Sequence, residues 1–207
     1  MSSPLEKIMA AREAGQTATV EMTAKGPMLG LFTLFGRGVV VDAAAGCTIH
    51  ALACDRLGIS EDYLTNGIQT VFLDGWAVDN IETAIVEPGA VVAFSAAMPG
   101  LVGATMRRGG HYAALRSNIT HAGAGESAGP GVSGAILVKL FNQVARDLGM
   151  AFLCRGVWVE GDRFADFFHA QPAGGIVSAT VDGKPMPAAS LQADDWKARS
   201  VNLFVHQ

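Results

Sequence analysis

The sequence predicts an α+β protein: two similar units in tandem, joined by a glycine-rich connector and a helix. Three observations predict it. The segment GIQTVFLDG at Gly67–Gly75 returns as GIVSATVDG at Gly175–Gly183. LFGRGVVVDA at Leu34–Ala43 is echoed by FLCRGVWVEG at Phe152–Gly161, and Val91 and Phe94 are matched by Val201 and Phe204. The matches keep one order along the chain, and between the two sets lie residues 99–134, dense in glycine.

Each element has its own signal. Ser3 with Glu6 three residues later is spaced as a capping box, Pro4 suits a first helical turn and Gly15 suits a stop, so residues 4–14 read as a helix. TATVEM at Thr17–Met22 alternates as a strand does. LFTLFGRGVVVD at Leu31–Asp42 reads as one long bent strand or two short ones. CTIHALACDRLG reads as a helix with Thr48 as N-cap and Gly58 as stop. IQTVFLDG is a strand ending in an Asp-Gly turn, and AVVAFSA at Ala90–Ala96 is another strand. After the connector, AILVKLFNQVARDLG reads as a helix beginning near Gly134, with Ile136, Leu140, Val144 and Leu148 on one face. DRFADFF is a short helix with Asp162 as N-cap, and VNLFVHQ closes the chain as a strand. The expected organisation is residues 1–98 (N-terminal helix and first unit), 99–134 (connector) and 135–207 (helix and second, shortened unit). Residues 31–97 and 150–207 are expected to superpose, with Asp74-Gly75 over Asp182-Gly183.

The order strand, strand, helix, strand, strand resembles the β-grasp, a small sheet curled around one helix. RLGIS, LDGWAVD, ETAIVEPGA and VVAFSAAMPG resemble the small sulfur-carrier proteins of molybdopterin and thiamin synthesis over residues 31–100. The resemblance implies a tandem pair of β-grasp-like, ubiquitin-like units. In ubiquitin-like proteins an exposed terminal Gly-Gly is activated, and MRRGG at Met106–Gly110 is similar to such a tail. Here the chain continues to residue 207, so carrier chemistry implies cleavage after Gly110.

Composition narrows the function. Half of the residues are hydrophobic and 16% are charged, an apolar surplus that points to a subunit interface. The net charge of -4 argues against nucleic acid or an anionic membrane as partner. The most apolar run, Ile85–Ala104, is broken by Pro88, Gly89, Pro99 and Gly100 and does not read as a membrane span. Three cysteines and no secretory signal predict a cytoplasmic protein.

The connector carries Arg107, Arg108, His111, Tyr112, Arg116, His121 and Glu126, and Ser133 stands at its end. Cations and imidazoles beside glycine-exposed N–H groups suit an anion, more so next to a helix N-terminus. Arg107, Arg108, His111, Tyr112, Arg116, His121 and Ser133 therefore form the candidate anion site. No Gly-Lys-Ser/Thr follows the glycines, so this is not a Walker loop. Cys47, His50 and Cys54 share one side of their helix, but a structural zinc site wants four ligands, and the thiols read as packing. No nucleophile elbow, His-Glu-x-x-His helix or close carboxylate pair is present. No catalytic residue, metal or cofactor is assigned, and the sequence does not decide whether a reaction is catalysed.

The leading expectation is a non-catalytic, bacterial-type cytoplasmic binding or assembly protein acting as a homo-oligomer. A second is an enzyme or binder of a small anionic ligand using the connector. A third is a ubiquitin-like carrier precursor with an internal Arg-Arg-Gly-Gly at 107–110.

Overall fold

A computed structural model describes residues 2–113, 115, 116, 120, 121, 132–172, 174–193 and 196–207. Helix α1 (Pro4–Glu13) is followed by β1 (Thr17–Ala24), α2 (Leu31–Arg37), β2 (Val39–Ala45) and the short β3 (Cys47–Thr48). Helix α3 (Ile49–Ala51) widens into a π-helical turn at Leu52–Arg56, and a second π-helical turn spans Tyr63–Gly67. Strands β4 (Thr70–Leu73), β5 (Trp76–Ala77), β6 (Ile85–Val86) and β7 (Val91–Ser95) precede helix α4 (Gly100–Met106). The chain continues through β8 (Val132–Phe141), α5 (Asn142–Arg155), β9 (Val157–Glu160) and α6 (Gly161–His169). It closes with β10 (Ile176–Val181), β11 (Lys184–Pro185), α7 (Ala188–Ala193) and β12 (Ser200–His206). The fold is α+β, with strands paired in both senses.

The chain divides into two compact units, Met1–Val41 with Arg146–Gln207, and Asp42–Ala145. The crossings fall inside β2 and α5, so this division cuts across the expected 1–98, 99–134 and 135–207. In the first unit the strand order is β11-β10-β1-β12-β9-β2. Here β1 lies antiparallel to β10 and parallel to β12. In the second unit the order is β8-β7-β4-β5, with β7 antiparallel to β4 and parallel to β8. Each unit therefore runs from a hairpin to an antiparallel strand and then to a parallel one.

The local repeats have a structural cause. Asp74 and Asp182 both have φ of 50°, followed by Gly75 at 84° and Gly183 at 75°. Two positive φ values in succession make the tight turn that joins twisted antiparallel strands. Asp74 exchanges two bonds with Val91, N–H to O at 2.9 Å and carboxylate from N–H at 2.7 Å. Asp182 exchanges the same two with Thr19, both at 2.8 Å. The Arg-Gly-Val echo is a helix end turning into a strand. Gly38 (φ 103°) links α2 to β2, and Gly156 (φ 90°) links α5 to β9.

The longer-range expectation fails. Strand β7, next to the first hairpin, follows it in sequence, whereas the equivalent place beside β10 is taken by β1 from the start of the chain. Residues 31–97 and 150–207 therefore have different strand orders. The reason is visible in β1: Ala18, Val20, Met22 and Ala24 are buried on one face, and the strand is bonded along both edges.

Two elements change type. Leu31–Arg37 is a helix, not a strand: Leu31, Leu34 and Phe35 recur at helical spacing, Leu34 and Phe35 are buried, and Phe35 meets Phe152 edge-on with ring centroids 6.0 Å apart. Residues 135–141 belong to β8, and the helix starts only at Asn142. Ile136, Leu137, Val138 and Leu140 are all buried, so both faces of this strand are covered, and such a run has no alternation to distinguish it from a buried helix. Asn142, at φ 53°, makes the break. Helix α6 is capped two residues early, at Glu160 rather than Asp162. Helix α1 has the expected capping box, and Thr48 caps α3 by accepting from the Ala51 N–H at 3.1 Å.

Candidate functional site

Four of the seven predicted anion-site residues meet. Arg107, Arg108, His111 and Tyr112 line one open groove at the end of α4, together with Gln69 and Met98. The backbone around them is tied down. Arg108 N–H donates to the Gln69 carbonyl at 2.8 Å, Gly109 N–H to Asp79 Oδ1 at 3.0 Å, and Gly110 N–H to the Arg107 carbonyl at 3.1 Å. His111 and Tyr112 stack edge-on at 5.2 Å. Arg108 is half-buried and gives Nη2–H to the Leu64 carbonyl at 3.0 Å. Its Nη1 is buried and has no hydrogen-bond partner among the described residues, and the same holds for Gln69 Oε1. Burial pulls the Arg108 guanidinium pKa below its ordinary value, with Glu82 and Asp79 opposing. A donor and an acceptor thus stand unpaired in two residues lining one groove.

The other three residues do not join them. Arg116 is buried and spends its guanidinium internally: on the Thr105 carbonyl at 2.7 Å, Thr120 Oγ1 at 2.8 Å and Asp79 at 2.5 Å. It is a clamp holding the connector to the end of α4. His121 is fixed through its backbone, N–H to the Ala77 carbonyl at 2.8 Å, and is not among the groove residues. Ser133 lies in β8 rather than at a helix N-terminus, so that source of positive potential is missing there; its side chain lies outside what is described. Glu126 also lies outside the described residues.

A second constellation is only partly legible in the sequence. His50 Nε2 lies 2.7 Å from Glu61 Oε1 and 4.0 Å from Cys54 Sγ. These three donor atoms lie within 4.8 Å of one another. On the other side of the ring, His50 Nδ1 is 3.7 Å from Glu82 Oε2. Local structure explains the convergence. The π-helical turn keeps His50 and Cys54 on one side, and the Ile59 N–H closes it onto the Ala53 carbonyl at 2.9 Å, turning the chain so that Glu61 comes back to His50. The β3–β6 ladder and the bond from His50 N–H to the Ile81 carbonyl (3.1 Å) bring Glu82 alongside. The hydrogen bond to Glu61 raises the His50 pKa, with Glu82 and Asp55 adding to it. Burial raises the Cys54 thiol, helped by Glu61, Asp55 and Glu82. Cys47 is outside this group; it faces Val86 across the ladder. Sequence spacing finds His50 and Cys54. Glu61 and Glu82 carry no sequence signal, because loop and ladder geometry alone bring them in.

In the first unit, the buried Glu160 carboxylate is paired with two cations, Lys7 at 2.8 Å and Arg163 at 3.0 Å. No helix among the described residues is long and apolar enough to cross a membrane. In comparison with known proteins, no family model, no curated protein and no solved structure matches this chain.

Proposed function

We propose that this protein is a binding or assembly protein that works as a homo-oligomer, without chemistry of its own. The observation that carries this reading is the apolar surface around the groove. Leu101, Val102, Tyr112 and Leu115 are exposed, with Leu101, Val102 and Leu115 each about 70% accessible. Leu101 and Val102 lie in the first turn of α4, and the Arg116 clamp holds the Leu115 segment to the end of that helix. Monomers rarely leave several large apolar side chains open on one short stretch of chain, and a second copy of the chain is the occupant the reading requires. The Leu101→Asp/Val102→Asp variant should sediment as a smaller species than the parent at the same concentration. Identical sedimentation would remove this surface from the interface.

A small anionic ligand in the groove is the second reading, supported by the unpaired Arg108 Nη1 and Gln69 Oε1. Titration calorimetry with inorganic phosphate and small carboxylic acids, against Arg107→Ala/Arg108→Ala, tests it; equal heats for the two proteins would end it. The shared succession of hairpin, antiparallel strand and parallel strand supports the reading of β-grasp-like units. The carrier-precursor reading has the least support, because Arg108, Gly109 and Gly110 are held by backbone hydrogen bonds instead of forming an extended tail. Intact mass of the protein from its native cell, if always full length, would end that reading.

A further inference from the structure

We propose that His50 Nε2, Cys54 Sγ and a Glu61 carboxylate oxygen form a binding site for one divalent cation of the zinc class, with Glu82 orienting the imidazole. The argument rests on donor chemistry and on which atoms face each other. Imidazole nitrogen, thiolate sulfur and carboxylate oxygen together suit a borderline-soft ion; magnesium and calcium take oxygen donors. The three donor atoms lie within 4.8 Å of one another. Zinc–ligand bonds of about 2.0–2.3 Å at tetrahedral angles need donors about 3.3–3.6 Å apart. The His50–Glu61 distance of 2.7 Å opens to this, and the His50–Cys54 distance of 4.0 Å closes to it, by small side-chain rotations. The Glu61 side chain is 66% exposed and free to make that adjustment.

The second ring nitrogen supplies an independent observation. A metal-ligating histidine directs its other N–H to a carboxylate or carbonyl, which fixes the tautomer that leaves the ligating nitrogen bare. His50 Nδ1 faces Glu82 Oε2 at 3.7 Å, while Nε2 faces Cys54 and Glu61. Glu82 is itself held, its N–H donating to Asn80 Oδ1 at 3.0 Å. Cys54 sits in a π-helical turn, a distortion frequent at functional sites. On binding, the thiol proton of Cys54 leaves to solvent, together with the Nε2 proton where the ring is an imidazolium. The carboxylates of Glu61, Glu82 and Asp55 offset the cation's charge. Three protein ligands leave a fourth position for water.

The test uses the full chain stripped of metal. Zn²⁺ is titrated in competition with a chromophoric chelator, and Co²⁺ is titrated by absorption. The expected result is one ion per chain and a near-ultraviolet thiolate-to-Co²⁺ band that is lost in Cys54→Ser and kept in Cys47→Ser. Zn²⁺ affinity should fall tenfold or more in His50→Gln and Glu61→Gln, and about 10–100-fold in Glu82→Gln. Glu61→Gln alters an exposed side chain, so its circular dichroism should match the parent and its loss of affinity cannot be loss of fold. Absence of saturable binding, a Co²⁺ band surviving in Cys54→Ser, or unchanged affinity in Glu61→Gln would overturn the proposal and leave an ordinary His50–Glu61 ion pair.

Discussion

Replacing Arg116 with alanine should destabilise the second unit far more than replacing Arg107, although both were expected in one ligand site. Arg116 is 4% exposed and makes three hydrogen bonds, one of them to a carboxylate. Breaking a buried charge pair costs about 3–5 kcal/mol when the other charge is stranded. The Asp79 side chain is 35% exposed and keeps the Gly109 N–H, so water and that bond recover part of the loss. The expected cost is therefore about 2–4 kcal/mol. Arg107 is exposed, and its replacement should stay within about 0.5 kcal/mol of the parent. In urea unfolding, with a slope of roughly 2 kcal/mol/M, the Arg116→Ala midpoint should fall by about 1–2 M and the Arg107→Ala midpoint should hardly move. The cycle Arg116→Ala, Asp79→Ala and the double variant should return a coupling of about 1–3 kcal/mol. A midpoint for Arg116→Ala equal to that of Arg107→Ala would refute the clamp and return Arg116 to the surface.

Gly156→Ala should cost about 1–3 kcal/mol in the same assay, because the residue holds φ at 90° and its new Cβ would run into the Phe204 ring. Asp74→Ala and Asp182→Ala should each cost about 1–2 kcal/mol and by similar amounts, since each loses a bond to a neighbouring strand and the tolerance for positive φ; Asp→Gly at either site should cost less. In the metal-free protein the His50 imidazole should titrate above its ordinary value of about 6.5 in an NMR pH series, and Glu61→Gln should bring it back towards that value. The sign follows from a raised folded pKa: the stabilisation is full below the unfolded value and is lost as pH rises through the folded one. A His50 titration unmoved by Glu61→Gln would show that the 2.7 Å contact is not made in solution.

What the sequence discloses here is local. The capping box at Ser3 and Glu6, the Thr48 cap and the two Asp-Gly turns involve neighbours in the chain, and each draws on a short set of residue types that fit its backbone geometry. The same is true of Arg-Gly-Val, where a glycine must take positive φ between a helix and a strand. Pairing across the chain is not local. Nothing in TATVEM announces that β1 will lie between β10 and β12, so repeated turns were open to being mistaken for repeated strand order. The covered strand β8 hid because an apolar run buried on both faces has no period. The site divides in the same way. Arg107, Arg108, His111 and Tyr112 are close in sequence and close in the groove, whereas Arg116 is drawn off by Asp79, which the loop after β5 brings near. Glu61 and Glu82 reach His50 by a helix closure and a two-stranded ladder, neither of which spacing alone encodes.

The most direct test of an oligomeric binding or assembly protein is the solution mass of the intact chain. Light scattering on the eluting peak, across the micromolar range, should give a mass of two or more times the 21.5 kDa chain mass. The interface should bury more than roughly 1,000 Å², and Leu101 and Val102 should lose accessibility to labelling by photochemical carbene on assembly. A mass of 21.5 kDa at every concentration, with Leu101 and Val102 labelled throughout, would contradict the account.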